Sequence, residues 1–230
     1  MTETIHIKDK TIAVPGETLA EGMSVLPGAG TYRDGDAIVC SRLGLASVED
    51  KVIKIVPMSG VYTPKLGDHI IGKVTDILLS GWRVETRSPY SAVMNTKDAV
   101  TDFIPRGANL AEYFALGDHI VIKIVNITSQ HLVDVTMKGP GLMKLQGGRI
   151  VEVSAAKVPR IVGRDGSMIQ MIKDATGCEI IPGQNGWIWI KGKPQGEILA
   201  IEAMRAIERE AHLPGLTERM KAWLTQHAKR

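Results

Sequence analysis

The sequence predicts a multidomain protein of three small modules: an all-β N-terminal domain (1–62), a five-stranded β-barrel (63–140) and an α+β domain (141–230). Three observations point there. The chain has 230 residues, more than the roughly 100–200 of an ordinary single domain. Its first 140 residues carry short β-type runs between turn signals, with no long helical period. In residues 141–230 the periodicity switches to a mixture of strands and amphipathic helices.

Composition limits the possible classes. With 44% hydrophobic and 23% charged residues the chain can bury true cores and is not disordered by composition. Aromatics make up only 4%, too few for a module that reads RNA mainly on a Phe- or Tyr-rich sheet. The start, MTETIHIKDK, is polar and lacks the apolar stretch of a signal peptide. No apolar run approaches the ~18 residues of a membrane span. Cys40 and Cys178 are far apart and form no CxxC pair, which fits a reducing compartment. The expectation is a cytoplasmic protein with no membrane partner.

The net charge of +3 is unevenly spread. Counting Lys+Arg against Asp+Glu, residues 1–64 hold 6 and 8, residues 65–140 hold 8 and 8, and residues 141–230 hold 14 and 9. The last third therefore carries a surplus of five cations, suited to a polyanion and equally to plain solubility.

In the first module, IHIKDKTIAV, DAIVCS and KVIKIV read as strands, separated by VPGE, LPGAG, YRDGD, RLG and PMSG. It shows no catalytic constellation, so it is either a docking element or a passive folding unit. The second module contains an echo: KLGDHIIGKVTDI at 65–77 and ALGDHIVIKIVNI at 115–127. Each has a Leu-Gly-Asp turn before an alternating strand. With TDILLSGWRVETRS, YSAVM and HLVDVTMK between and after them, about five strands fall in some 75 residues. A short helical insert is expected around 108–114. That spacing is the pattern of a small closed barrel of the OB type.

In the third module GRIVEVS is a strand and KVPRIVG a short helix or turn. SMIQMIKDATG then places Met168, Ile169, Ile172 and Ala175 on one helical face, stopped by Gly177. CEIIPG and WIWIKG are strands joined by a Gln184-Asn185-Gly186 hairpin. A helix follows with Ile198, Ile201, Met204 and Ile207 in register, ended by Pro214-Gly215, and a last helix carries Met220, Trp223 and Leu224. By alternation Trp187 and Trp189 share one strand face and Ile188 and Ile190 the other. The isoleucines are expected under the helices, and the tryptophans against the barrel or a partner.

Between the two short helices of this module lies Gly163-Arg164-Asp165-Gly166. Set there, and followed by a hairpin and a third helix, it resembles the GxxG loop of a KH domain. A Cβ-free loop admits a sugar-phosphate backbone. The amides of the helix beginning at Ser167 face the phosphate with the positive end of the dipole. Arg164, Arg160 and Lys173 would add positive charge, while Asp165 opposes it, so the grip should be weak and salt-sensitive. Replacing Gly163 by Asp is expected to weaken RNA binding without unfolding the domain.

The barrel segment GDHIIGKV…SGWRV…SPYSAVM resembles an OB barrel of the ribosomal-protein S-one type. Where such barrels often show Gly-Ala-Phe-Val, this chain has Gly81-Trp82-Arg83-Val84. Trp82 and Val84 then share one face and Arg83 takes the other. Electrostatic contact through Arg83, Arg87 or Lys97 replaces base stacking in this reading.

Together, PGETLAEG, GAGTY, SGWRV, SPYSAV, VTMKGPGL, KVPRIVGRDGSMI, TGCEI and GQNGWIWI, in that order, resemble the RNA-binding cap subunits of the archaeal exosome over nearly the whole chain. The resemblance implies three copies seated on a six-membered ring of ribonuclease PH-like subunits. The first module would dock on the ring, the barrels would line the entrance, and single-stranded RNA would be guided in for 3′-to-5′ phosphorolysis. A transcription or translation factor with the same barrel and KH pair is the alternative.

No enzyme is expected. His6, His69, His119, His131, His212 and His227 have no ligand spacing. The shared placement of His69 and His119 suggests barrel-rim positions, although folding could bring them close. Gly-Ala-Gly at 28–30 has no Walker lysine, and the acidic residues form no clear pair for two-metal chemistry. Neither a cofactor nor a metal is expected.

Overall fold

The computed structural model describes residues 4–105, 107–211, 213 and 215–227; His212 and Pro214 lie outside the described residues. The chain divides into two compact units, one ending at Gly60 and one beginning at Val61.

The first unit is two four-stranded sheets. One, in the order β1-β3-β6-β5, is built from β1 (Thr4–Ile5), β3 (Thr18–Glu21), β5 (Thr31–Asp34) and β6 (Ala37–Cys40). The other, β2-β7-β8-β4, comprises β2 (Ile12–Ala13), β4 (Leu26–Pro27), β7 (Gly44–Glu49) and β8 (Val52–Pro57). Leu19 and Ile38 of the first sheet and Ile53 and Ile55 of the second fill one core. The run IHIKDKTIAV is two two-residue strands rather than one, because Lys10 turns the chain at a φ of 62°.

The second unit begins with a closed barrel in the order β10-β11-β13-β12-β9. Its strands are β9 (His69–Leu78), β10 (Gly81–Glu85), β11 (Ala92–Asn95), β12 (His119–Ile127) and β13 (Val133–Thr136). The parallel contact of β11 with β13 closes it, which is the OB arrangement expected. A short helix α1 (Thr96–Ala99) and a single 3-10 turn (Leu110–Glu112) lie between β11 and β12. Trp82 is wholly buried; its indole donates to the Phe114 carbonyl (3.0 Å) and its ring meets that of Phe114 edge-on at 5.2 Å. Val84 is buried with it, and Arg83 between them is exposed, as alternation requires.

A three-stranded antiparallel sheet follows, in the order β14-β16-β15, from β14 (Arg149–Glu152), β15 (Glu179–Pro182) and β16 (Trp187–Lys191). Four helices pack on one face: α2 (Val158–Val162), α3 (Ser167–Thr176), α4 (Pro194–Glu210) and α5 (Leu216–His227). Ile188 and Ile190 point into that helical core. Trp187 and Trp189 point the other way and form a second cluster with Ile71 and Val121 of the barrel and Leu145 of the connection. Barrel and α+β domain thus share a buried apolar seam.

One face assignment needs correction. On α4 the buried positions are Glu197, Ala200, Ala203, Met204, Ala206 and Ile207, while Ile198 is 58% exposed. Small residues let α4 lie close to its neighbours. The inward position at its start belongs to Glu197, whose carboxylate accepts from the Gly192 N–H (3.1 Å) and pairs with Arg149 (3.0 Å).

Candidate nucleic-acid interface

The loop from α2 to α3 is shaped by three positive-φ residues, Gly163, Asp165 and Gly166. Gly163 closes α2, its N–H donating to the Pro159 carbonyl (2.9 Å). It sits at φ 75°, ψ 175°, a region that only glycine occupies at low cost. Asp165 follows at φ 52° and Gly166 at φ 78°. The helix then starts at Ser167, as expected, and Gly166 as its N-cap carries no side-chain acceptor. The Ser167 N–H is already taken by the Arg164 carbonyl, and no side chain caps the rest of the first turn of α3, which lies at the positive end of the helix dipole.

The two glycines differ in role. A Cβ on Gly163 would lie 2.7 Å from the Met168 Cβ and 2.8 Å from its backbone nitrogen. That glycine is needed by the fold itself. The expectation that Gly163→Asp leaves the domain intact is therefore corrected. A Cβ on Gly166 would meet nothing nearer than the Ile169 Cγ2 at 4.0 Å, so the open approach for a ligand backbone is at Gly166.

Arg160, Arg164, Asp165 and Ser167 are exposed around this loop. Lys173 is half-buried and lies six residues along α3 from Ser167, about 9 Å by helical rise. The structure therefore brings Arg160, Arg164 and the glycines together and sets Lys173 further along the helix.

On the barrel, Arg83 is exposed and faces Asp76 at 3.5 Å. Lys97 is exposed on α1, just past Asn95, the partner of Gly81. Arg87 has a different occupation. Its guanidinium donates to the carbonyls of Val153 (2.6 Å) and Gly186 (2.9 Å) and faces Glu152 at 3.6 Å. It is a strut from the barrel to the α+β domain. Its bonding capacity is directed inward, because the hairpin at 183–186 lands beside it.

That hairpin is the residue set which sequence reasoning missed. Gln184-Asn185-Gly186 makes the expected turn, but the turn docks on β9. The Gln184 N–H donates to the His69 carbonyl (3.0 Å), and the Gln184 Oε1 accepts from the His69 N–H (2.6 Å). The buried Asn185 amide donates to the carbonyls of Ile71 (2.7 Å) and Thr86 (2.9 Å) and accepts from the Ile71 N–H (3.4 Å). It answers both polar groups of Ile71, much as another strand would. Gly186, at φ 87°, admits no side chain, since a Cβ would lie 2.4 Å from the Val153 carbonyl oxygen. The only sequence signal was an apparently over-specified turn: a buried Asn is indistinguishable from an exposed one in Asn-Gly.

The two echoed histidines do not meet. In the antiparallel β9–β12 ladder His119 pairs with Lys73 and His69 with Lys123, at opposite ends. His119 packs edge-on against Trp187, with ring centres 6.1 Å apart. Burial first, and then the Lys73 ammonium, hold its pKa below the ordinary histidine value. Among the described residues no group of three or more His, Cys, Asp or Glu side chains could hold a metal ion. Nor is any helix among them long and apolar enough to cross a membrane.

Comparison with known proteins agrees with this geometry. The KH domain family model matches residues 148–196, which span the sheet, the glycine loop and the start of α4. The exosome complex component Rrp4 of Methanothermus fervidus is 42% identical over 221 residues, covering 96% of this chain and 97% of the relative. That of Thermococcus kodakarensis is 41% identical over 224 residues, covering 96% and 87%. A crystal structure described as that of an exosome complex RNA-binding protein superimposes with a TM-score of 0.66 at 32% identity. It covers 74% of this chain and 98% of the other. The resemblance read from the motifs is thereby borne out: the chain belongs to the exosome complex component Rrp4 family.

Proposed function

We propose that this chain is a non-catalytic, cytoplasmic RNA-binding subunit that caps a ribonuclease PH-like ring. Three copies gather single-stranded RNA and guide it into the ring for 3′-to-5′ degradation. In this reading residues 1–62 dock on the ring, 63–140 form the barrel that faces the strand, and 141–230 hold it. The observation that carries the reading is the Gly166–Ser167 loop, which offers open backbone approach to a helix N-terminus that no side chain caps, beside Arg164 and Arg160. Asp165 keeps the grip weak, which suits a guide that must release its strand. Lys173 lends charge further along α3, and Arg83 and Lys97 make peripheral contacts on the barrel. Arg87 is left out of the RNA contacts, because its guanidinium is bonded across the barrel–KH seam.

The test is a pull-down of the chain from its own cell extract after RNA has been destroyed by nuclease, with partners identified by mass. Recovery of ribonuclease PH-like subunits supports direct docking. Recovery of polymerase or ribosomal proteins instead moves the same domains to another machine. The purified chain is expected neither to hydrolyse nor to phosphorolyse RNA; activity in a contaminant-free preparation refutes the non-catalytic role.

A further inference from the structure

The second barrel strand carries Arg83 where an aromatic platform would stand, yet the fold assembles a ring surface from two other loops. β11 and β13 run side by side and parallel, with Ala92 paired to Val133. Tyr90 and His131 each lie two positions before these partners and are brought together. Their rings stack with centres 4.6 Å apart and planes 15° from parallel.

Both residues are held in place. The Tyr90 N–H donates to the Ser88 Oγ (3.1 Å), and the Tyr90 carbonyl accepts from the hydroxyls of Ser88 (2.6 Å) and Thr86 (3.1 Å). Its half-buried ring rests on the barrel core. His131 sits in a turn closed by Thr128 N–H to the Leu132 carbonyl (2.9 Å) and His131 N–H to the Thr128 carbonyl (2.9 Å). Its φ of 59° lies in the left-handed region, which glycine enters freely and Asn, Asp and His enter more readily than other side chains. Glycine would serve a turn that only had to close. Here an exposed imidazole is kept in that conformation with one face on tyrosine.

We propose that the Tyr90–His131 stack is a nucleobase-stacking platform for single-stranded RNA, with a base laid on the face of His131 away from Tyr90. Every base has a π-face, so such a platform binds without regard to sequence. Its position supports this use. The loop 86–90 also carries Arg87, the strut to the KH domain. Ala155, on the segment that leads into α2 and the glycine loop, packs on the same barrel core as Tyr90. The platform therefore stands near the junction of barrel and KH domain. This rests on the RNA-binding reading above.

The experiment uses the whole chain and two fluorescent probes: an oligouridylate of roughly 12 nucleotides, within the range one barrel covers, and an abasic ribose-phosphate oligomer of equal length. His131→Gly removes the ring and relieves the backbone, so its urea midpoint should equal or exceed that of the unmodified chain. It is expected to weaken oligouridylate binding about tenfold, with an unchanged salt slope and no effect on the abasic oligomer. His131→Phe should restore affinity. Unchanged oligouridylate affinity in His131→Gly, or an equal loss for the abasic oligomer, overturns the platform and leaves the stack as a loop fastening. If Gly166→Asp still weakens binding in that case, RNA binding itself stands. If the unmodified chain binds neither probe, both readings fall together.

Discussion

Replacing Asn185 by Ala tests the seam on which the geometry of the second unit depends. The side chain is 1% exposed and makes bonds of 2.7, 2.9 and 3.4 Å to Ile71 and Thr86 of the barrel. Truncation strands two carbonyls and one N–H in a site without access for water. A buried polar group left without its partner costs about 1–3 kcal/mol. Two good bonds and one long one therefore predict a loss of about 3 kcal/mol, roughly two decades in the folding equilibrium. Asn185→Asp should cost more, because its carboxylate would turn an oxygen toward carbonyl oxygens in place of the amide donor. Urea titration followed by tryptophan fluorescence is the assay. All four tryptophans, Trp82, Trp187, Trp189 and Trp223, lie in the second unit, so the signal reports that unit alone. A midpoint for Asn185→Ala that implies less than about 0.5 kcal/mol, or an aspartate variant no worse than alanine, would refute the view that this amide ties the domains.

The two loop glycines should separate in the same titration. Gly163→Ala, with its crowded Cβ and φ of 75°, should lose on the order of 3 kcal/mol, whereas Gly166→Ala should lose about 1–2 kcal/mol and remain folded while binding RNA less tightly. Equal losses at both positions would contradict the assignment of 163 to the fold and 166 to the ligand. Arg164→Gln should lower the slope of log affinity against log salt by about 0.7 for a single strand; an unaltered slope in fluorescence anisotropy removes Arg164 from the phosphate contacts. The lowered pKa of His119 sets a pH dependence. The unfolded chain takes up this proton near pH 6.5 and the folded chain only at lower pH, so unfolding binds a proton in between. Stability of the second unit should be full above about pH 6.5, decline as pH falls through that window, and level off below the folded-state pKa. His119→Gln should flatten that decline in urea midpoints measured across the range.

Most of the architecture was legible from local pattern. The alternation in WIWIK put the isoleucines under the helices and the tryptophans toward the barrel. The turn-strand echo at 65–77 and 115–127 marked two barrel strands entered through the same kind of turn, and Trp82-Arg83-Val84 declared its inside and outside. The glycine pair between two short helices located the candidate RNA loop. These features are local: a strand's period of two and a glycine's freedom are properties of a few adjacent residues. Only the tertiary structure decided which side chains face another domain. Arg87 reads as a spare cation but is bonded to Val153 and Gly186, partners 66 and 99 residues away in the chain. Asn185 reads as a turn residue but completes the edge of β9, and Ile198 fits the helical period yet points to solvent. Tyr90 and His131 are 41 positions apart (131 minus 90) and meet only because β11 and β13 run parallel. Such roles arise from contacts between segments distant in sequence, and no local periodicity encodes which buried group will need a partner there.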